Sequence, residues 1–227
     1  MSTGEKKKRL PGQSRTNYFE WTFSGESTSH RYLVPGVLRA LEQLHPNRVL
    51  DIGCGNGALT ARIAQAGYEA TGIDFAQSGI ERARGSFPGV TFHAHDISQP
   101  LPDDLRDRFD VVLSAEVIEH LFFPRELFAR AREGLVGCGH TVITTPYHGY
   151  WKNLALALSG KFDHHWSSQA DFGHIKFFSE HTLGELMLEC GFTPDGFTRV
   201  GRIPSFAASM IMTGQLQQAR GPVSPSS

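Results

Sequence analysis

Along most of the chain, short apolar runs alternate with stretches in which apolar residues recur at helical spacing. Asn47 to Ile52 is a brief apolar run ending in glycines, the pattern of a buried parallel strand. Ala58 to Ala66 carries Leu59, Ile63 and Ala66 on one helical face and closes at Gly67. Ala70 to Asp74 reads as a second strand, Ser78 to Arg84 as a short helix, and Val90 to Ala94 as a third strand. Phe109 to Ser114 is a fourth strand. Pro124 then opens a helix on which Leu127, Phe128, Ala131 and Leu135 share a face. His140 to Thr144 gives a fifth strand, Leu154 to Leu158 a short apolar helix, and Ser179 caps a helix through Leu188 that closes at Gly191. Two weaker strand-like pieces, Phe197 to Val200 and Ser209 to Thr213, are placed as a terminal hairpin. The alternation predicts an α/β fold: a parallel sheet with helices on both faces.

The first strand runs into Asp51-Ile52-Gly53-Cys54-Gly55-Asn56-Gly57. Glycines at 53, 55 and 57 let the backbone turn sharply and approach a ligand closely, and the following helix aims free N–H groups at the same crevice. Dinucleotide enzymes share such loops, but the spacing here is GxGxG and not the GxGxxG of their fingerprint. Asp51 also repels a pyrophosphate, whereas it suits the methionyl ammonium of S-adenosylmethionine (SAM). Asp74 ends the second strand, where a carboxylate can accept both ribose hydroxyls. Asp96, after the third strand, can accept from an adenine amino group while Ile97 packs on the ring. A single Asp at a strand end is commonly a turn residue. Three of them, ending successive strands beside a glycine loop, point to one ligand.

In order and spacing, Asp51 to Gly57, Gly72-Ile73-Asp74, His95-Asp96-Ile97 and Phe109 to Leu121 resemble the successive motifs of class I SAM-dependent methyltransferases. The resemblance covers roughly residues 45–200. It implies a Rossmann-like, seven-stranded, mostly parallel sheet of order 3-2-1-4-5-7-6, with an insertion after strand 5. It also implies SAM held by Asp51, Gly53, Cys54, Gly55, Gly57, Asp74, Phe75, Asp96, Ile97 and Ala115.

Glu116, Glu119 and His120 stand at i, i+3 and i+4, the spacing of one helical face. Two carboxylates beside an imidazole repel, shift their pKa values or share a cation. Within the larger family this Glu-x-x-Glu-His resembles ubiquinone-biosynthesis O-methyltransferases and small-RNA 3′-terminal 2′-O-methyltransferases. That resemblance implies a divalent metal (Mg²⁺, Mn²⁺ or Zn²⁺) on Glu116, Glu119, His120 and a later histidine, His174, near the acceptor hydroxyl. The alternatives are metal-free catalysis, with His120 as general base, and a packing role for the same residues. Either catalytic form names His120 and Glu119 as the residues at the chemistry.

Lys and Arg total 22 against 23 Asp and Glu, a formal charge of −1, so no general attraction to nucleic acid or anionic membrane is expected. This demotes the RNA 2′-O-methyltransferase reading below a small-molecule acceptor: a phenol, a quinone precursor or a sugar. A SAM-binding module without catalysis is the third reading. The three cysteines are scattered, there is no apolar leader behind the basic first residues, and no run approaches the roughly 18 apolar residues of a membrane span. A soluble, cytoplasmic protein is the expectation; its oligomeric state is open. Residues 1–16 read as a flexible basic arm, 17–215 as the domain, and 216–227 as a loose tail. The aromatic, histidine-rich stretch 146–178 reads as an acceptor-side insertion, with Tyr147, His148, Tyr150, Trp151, His164, His165 and Trp166 as candidate lid residues. Tyr18 to Trp21 and His30 to Tyr32 are placed across the cleft from it.

Overall fold

Every second residue of the first strand meets a different layer, and this divides the core in two. In β1 (Arg48–Ile52), Leu50 and Ile52 face one apolar cluster and Val49 faces another, all with no exposed surface. The computed structural model describes residues 30–161, 173–201 and 203–217. The expected arm at 1–16, Tyr18 to Trp21, His164, His165, Trp166 and residues 218–227 lie outside them.

From β1 the chain runs through α2 (Ala58–Gln65), β2 (Glu69–Asp74), α3 (Gln77–Ser86), β3 (Thr91–Ala94), a single 3₁₀ turn at Asp103–Leu105, and β4 (Phe109–Ala115). A second 3₁₀ turn, Ile118–His120, leads to α4 (Pro124–Gly134), β5 (Leu135–Pro146) and α5 (Tyr150–Ser159). The chain then forms α6 (Glu180–Glu189), β6 (Phe192–Val200), a 3₁₀ turn at Pro204–Phe206, and β7 (Ser209–Leu216). The seven strands form one sheet of order β3-β2-β1-β4-β5-β7-β6. β1 to β5 are mutually parallel, and β7 is antiparallel to both β5 and β6. The expected order and the terminal hairpin are both present.

Ser179 caps α6 as its sequence suggested, with a refinement. Its hydroxyl accepts from Thr182 N–H, and Thr182 Oγ1 accepts from Ser179 N–H, so the two residues cap reciprocally.

Some elements differ from expectation. The helix α1 (His30–Leu44) went unread, with His30 to Tyr32 taken for a cleft cover. Its Leu33, Val34, Val37 and Leu41 repeat at helical spacing and pack on Val49, Leu113, Val142 and Ile211. Burying each such side chain contributes about 1.5–3 kcal/mol. Pro35 sits early in the helix, and its carbonyl accepts from Arg39. The fifth strand starts earlier than His140: Leu135 pairs with Phe109, and a register shift precedes the Val111–His140 pair. Leu216 ends β7 instead of opening a loose tail, because the hairpin ladder pairs it with Phe192.

The glycine loop shows why small residues are required at its turn. Gly57 has φ +78°, and a Cβ there would lie 2.7 Å from both Ala83 Cβ and Phe92 Cζ. Gly67 also has positive φ, +102°, but a Cβ there would meet nothing within 4 Å. Gly67→Ala should therefore cost about 1–2 kcal/mol of left-handed strain. Gly57→Ala should cost about 1–3 kcal/mol more, from overpacking. Urea unfolding of the two variants measures the gap; equal losses would refute the close approach.

Candidate functional site

Asp74 sits at the end of β2 with 7% of its surface exposed, and both its oxygens hold the neighbouring turns. Oδ2 accepts from Gly55 N–H at 2.9 Å and Oδ1 from Ala76 N–H at 2.8 Å. Gly53 and Cys54 N–H both donate to Ile73 O, at 2.8 and 3.0 Å. The loop from β1 is thus wrapped over the end of β2, and Phe75, 41% exposed, stands at its mouth. Each Asp74 oxygen keeps acceptor capacity beyond these bonds.

Asp51 is 1% exposed and accepts from Thr60 Oγ1 at 2.7 Å. Burial pushes its pKa up to about 7, opposed by the Thr60 hydroxyl and reinforced by Asp74. Burial also raises Asp74, against its two backbone N–H donors. Asp96 is exposed, and its Oδ1 accepts from Ser98 N–H at 2.9 Å, the bond of a local turn. Ile97 is half-buried against the larger apolar cluster, and Ala115 is half-buried at the end of β4.

The Glu-x-x-Glu-His stretch is not the expected helical face. Glu116 has φ +56°, and only Ile118–His120 form a 3₁₀ turn. The left-handed residue breaks any helix before it can bring three side chains into line. Glu116 instead turns toward the strand ends, where Thr144 Oγ1 donates to Oε1 at 3.0 Å and Ser209 Oγ to Oε2 at 3.2 Å.

Glu119 is 1% exposed. Its Oε2 accepts from Thr145 Oγ1 at 3.0 Å, while Oε1 is buried with no hydrogen-bond partner among the described residues. Two imidazoles flank that oxygen: His120 Nε2 at 4.0 Å and His174 Nε2 at 3.9 Å, their rings edge to face with centroids 4.8 Å apart. The loop carrying His174 is tied to this turn. Ile175 and Lys176 N–H both donate to Glu119 O, and His120 Nδ1 lies 3.2 Å from Gly173 O. One ligand atom from each of Glu119, His120 and His174 lies within 4.8 Å of the others. Glu116, the fourth residue of the expected set, lies outside this group. Glu116 still acts on Glu119: burial raises the Glu119 pKa first, and the neighbouring Glu116 charge raises it further.

A family model described as a methyltransferase domain matches residues 26–195. The chain belongs to the methyltransferase domain family. It is 31% identical over 157 residues to a ubiquinone biosynthesis O-methyltransferase of Bradyrhizobium diazoefficiens, covering 67% of this chain and 60% of that protein. A Ruegeria pomeroyi protein of the same name is 30% identical over 151 residues, 65% of this chain and 60% of that protein. The chain thus spans about 60% of the length of these curated relatives. Among solved structures, a magnesium protoporphyrin IX methyltransferase from Synechocystis, with bound S-adenosylhomocysteine (SAH), superposes with TM-score 0.62 at 19% identity over 82% of each chain. The methyltransferase domain of a bacterial Hen1 superposes with TM-score 0.60 at 18% identity, over 83% of this chain and 98% of that one. These two likenesses concern the fold alone.

In this methyltransferase domain, sequence reading missed the hydroxyl groups that hold its acids: Thr60, Thr144, Thr145 and Ser209. Each is a buried polar residue on a strand or helix, a pattern that separates it from surface threonines and serines only once the sheet order is known. It also missed Lys152, buried at the start of α5. Among the described residues no helix is long and apolar enough to cross a membrane.

Asp51 sets a pH dependence whose sign follows from burial. Its folded pKa, about 7, lies above the ordinary carboxyl value of 3.8, so the folded chain keeps a proton that the unfolded chain releases. Its contribution to stability is full below pH ~4 and is lost as pH rises toward ~7. Asp51→Asn mimics the protonated form. Without cofactor, the variant should gain on the wild type by more than about 1 kcal/mol between pH 5 and pH 8. Urea unfolding at the two pH values tests this; a pH-independent gap would show that Asp51 does not titrate late.

Proposed function

We propose that this chain transfers the methyl group of SAM to a hydroxyl of a small molecule (a phenol, a quinone precursor or a sugar) at the Glu119–His120–His174 cluster. The observation that carries this reading is the buried, unpartnered Oε1 of Glu119 between two imidazoles. A buried carboxylate oxygen without a donor costs free energy unless a proton, a cation or a ligand meets it. The relatives' names add the O-methyl assignment, since both are called ubiquinone biosynthesis O-methyltransferases.

In this reading the loop at Gly53 to Gly57 cradles SAM. Asp74 accepts from the ribose hydroxyls with the lone pairs its backbone donors leave free, and Phe75 flanks the adenosine. Asp51 faces the methionyl ammonium, a cation that stabilises its charged form. Asp96 and Ile97 receive the adenine, and the Cys54, Gly55 and Ala115 backbones border the same crevice.

The donor set of one carboxylate and two imidazoles fits a divalent cation such as Mg²⁺, Mn²⁺ or Zn²⁺. Glu119, His120 and His174 would hold it, and when bound it would lower the pKa of the acceptor hydroxyl and fix its direction. The chain's own work is alignment and proton removal. The acceptor oxygen attacks the SAM methyl carbon, the carbon–sulfur bond breaks, and the sulfonium becomes the neutral thioether of SAH. Where no cation is held there, the hydroxyl proton passes instead to His120, whose 36% exposed side chain can release it to solvent.

Gly55→Val should abolish SAH binding in a folded protein, and Asp74→Ala should weaken it by about 1.5–3 kcal/mol. Titration calorimetry reads both; wild-type affinity in either variant contradicts the cofactor site.

Labelled SAM offered with small phenols, sugars and short RNAs tests the reaction and its competing acceptor class. Methyl transfer to RNA alone, or to nothing while SAH still binds, would overturn the proposal. Glu119→Gln and exhaustive chelation should each cut transfer at least about tenfold with SAH affinity retained, and added divalent metal should restore the chelated enzyme. Full turnover after chelation would remove the metal and leave His120 as the base.

A further inference from the structure

Helix α5 is oriented opposite to an ordinary surface helix. Its cation, Lys152, is only 7% exposed, whereas Tyr150, Trp151 and Leu158 are 71%, 61% and 80% exposed. Lys152 is the one fully buried residue of α5, so the deepest contact this helix makes is polar, with Leu154 and Leu156 half-buried beside it. Taking an ammonium out of water costs several kcal/mol and persists only where partners replace the solvent.

Those partners gather at one place. Lys152 Nζ donates to Tyr147 O at 2.7 Å. Tyr147 N–H donates to Ala208 O at 3.0 Å, extending the β5–β7 ladder one step past the Pro146–Ser209 pair. Ser209 in turn donates to Glu116, which Thr144 also holds. The Lys152 ammonium and the Glu116 carboxylate are therefore fastened to the same end of one ladder. The Lys152 charge also lowers the Glu116 pKa, partly offsetting burial.

We propose that Lys152 is a positioning residue: paired with Glu116 at the end of the β5–β7 ladder, its ammonium pins α5 in place as the wall of the acceptor side. The role as a wall rests on the reading that the acceptor meets Glu119, three residues from Glu116. A directional, charge-assisted hydrogen bond fixes both the register and the rotation of the helix, which scattered apolar contacts do less sharply.

Hydrogen–deuterium exchange on the full chain with SAH present tests the pin, using Lys152→Met, Lys152→Gln, Glu116→Gln and the Lys152→Met/Glu116→Gln pair. Both Lys152 variants should raise exchange across 150–159 at least about tenfold and leave 109–115 unchanged. SAH affinity should stay within about twofold, which also shows that the variants fold. The double variant should be no worse than the worse single variant, because it leaves no unpaired buried charge. Toward an acceptor found in the methylation screen, Lys152→Met should raise KM about fivefold or more with kcat nearly unchanged. Unaltered exchange in both Lys152 variants, or strictly additive losses in the double variant, would overturn the pairing. A raised exchange with an unchanged KM would overturn the role as a wall. Absence of any methylated acceptor would count against the proposed reaction, while the exchange data would still decide whether Lys152 pins α5.

Discussion

The bonds from Asp74 to Gly55 and Ala76 N–H hold together everything at the carboxyl edge of the sheet. β1 and β2 are adjacent and parallel, so their following turns leave the sheet side by side with unpaired N–H groups. A carboxylate at the end of β2 satisfies one donor from each turn. It draws the glycine loop over β2 and leaves a crevice beside it. The positive-φ glycines are the backbone consequence of that approach, as the close contacts of a Cβ at Gly53 with Val117 and at Gly57 with Phe92 show.

Around this crevice the protein collects buried acids faster than it collects cations. Asp51, Asp74, Glu116 and Glu119 all have raised pKa values, and burial is the first cause in each. Hydroxyls from Thr60, Thr144, Thr145 and Ser209 soften the cost without neutralising the charge. Such an arrangement is less stable than an apolar one of the same shape, and it is the kind of strain retained where a cationic or hydrogen-bonding ligand binds. SAM carries an ammonium and a sulfonium, and a divalent metal carries two charges. Both are complementary to a site of this sign.

The acceptor side follows a different logic. The stretch Glu116 to His120 is held from below by Thr144 and Thr145 of β5 and from the side by the loop at Gly173 to Lys176. The histidines therefore meet across a long sequence gap because both loops bond to the backbone or side chain of one turn. α5 adds an exposed aromatic surface, and its one fully buried side chain, Lys152, is bonded to Tyr147 O.

The sequence alone determined the strand–helix alternation, the glycine loop, the acids at three strand ends and the capping serine of α6. Each rests on local chemistry: apolar period, backbone freedom and hydrogen bonding within a few residues. It also singled out Glu119, His120 and His174. The geometry of the Glu-x-x-Glu-His stretch was not legible, because i, i+3, i+4 spacing implies a shared face only if the backbone is helical. Thr144 and Ser209, brought together by the β5–β7 pairing, instead hold Glu116 in a left-handed conformation. α1 is absent from the sequence expectations and is fixed by the packing of Val37 and Leu41 against the sheet. The burial of Lys152 depends on the strand pairing, which carries the Tyr147 carbonyl to its ammonium. Tertiary structure decided these points because each depends on groups far apart in the chain, whose distance no local pattern encodes.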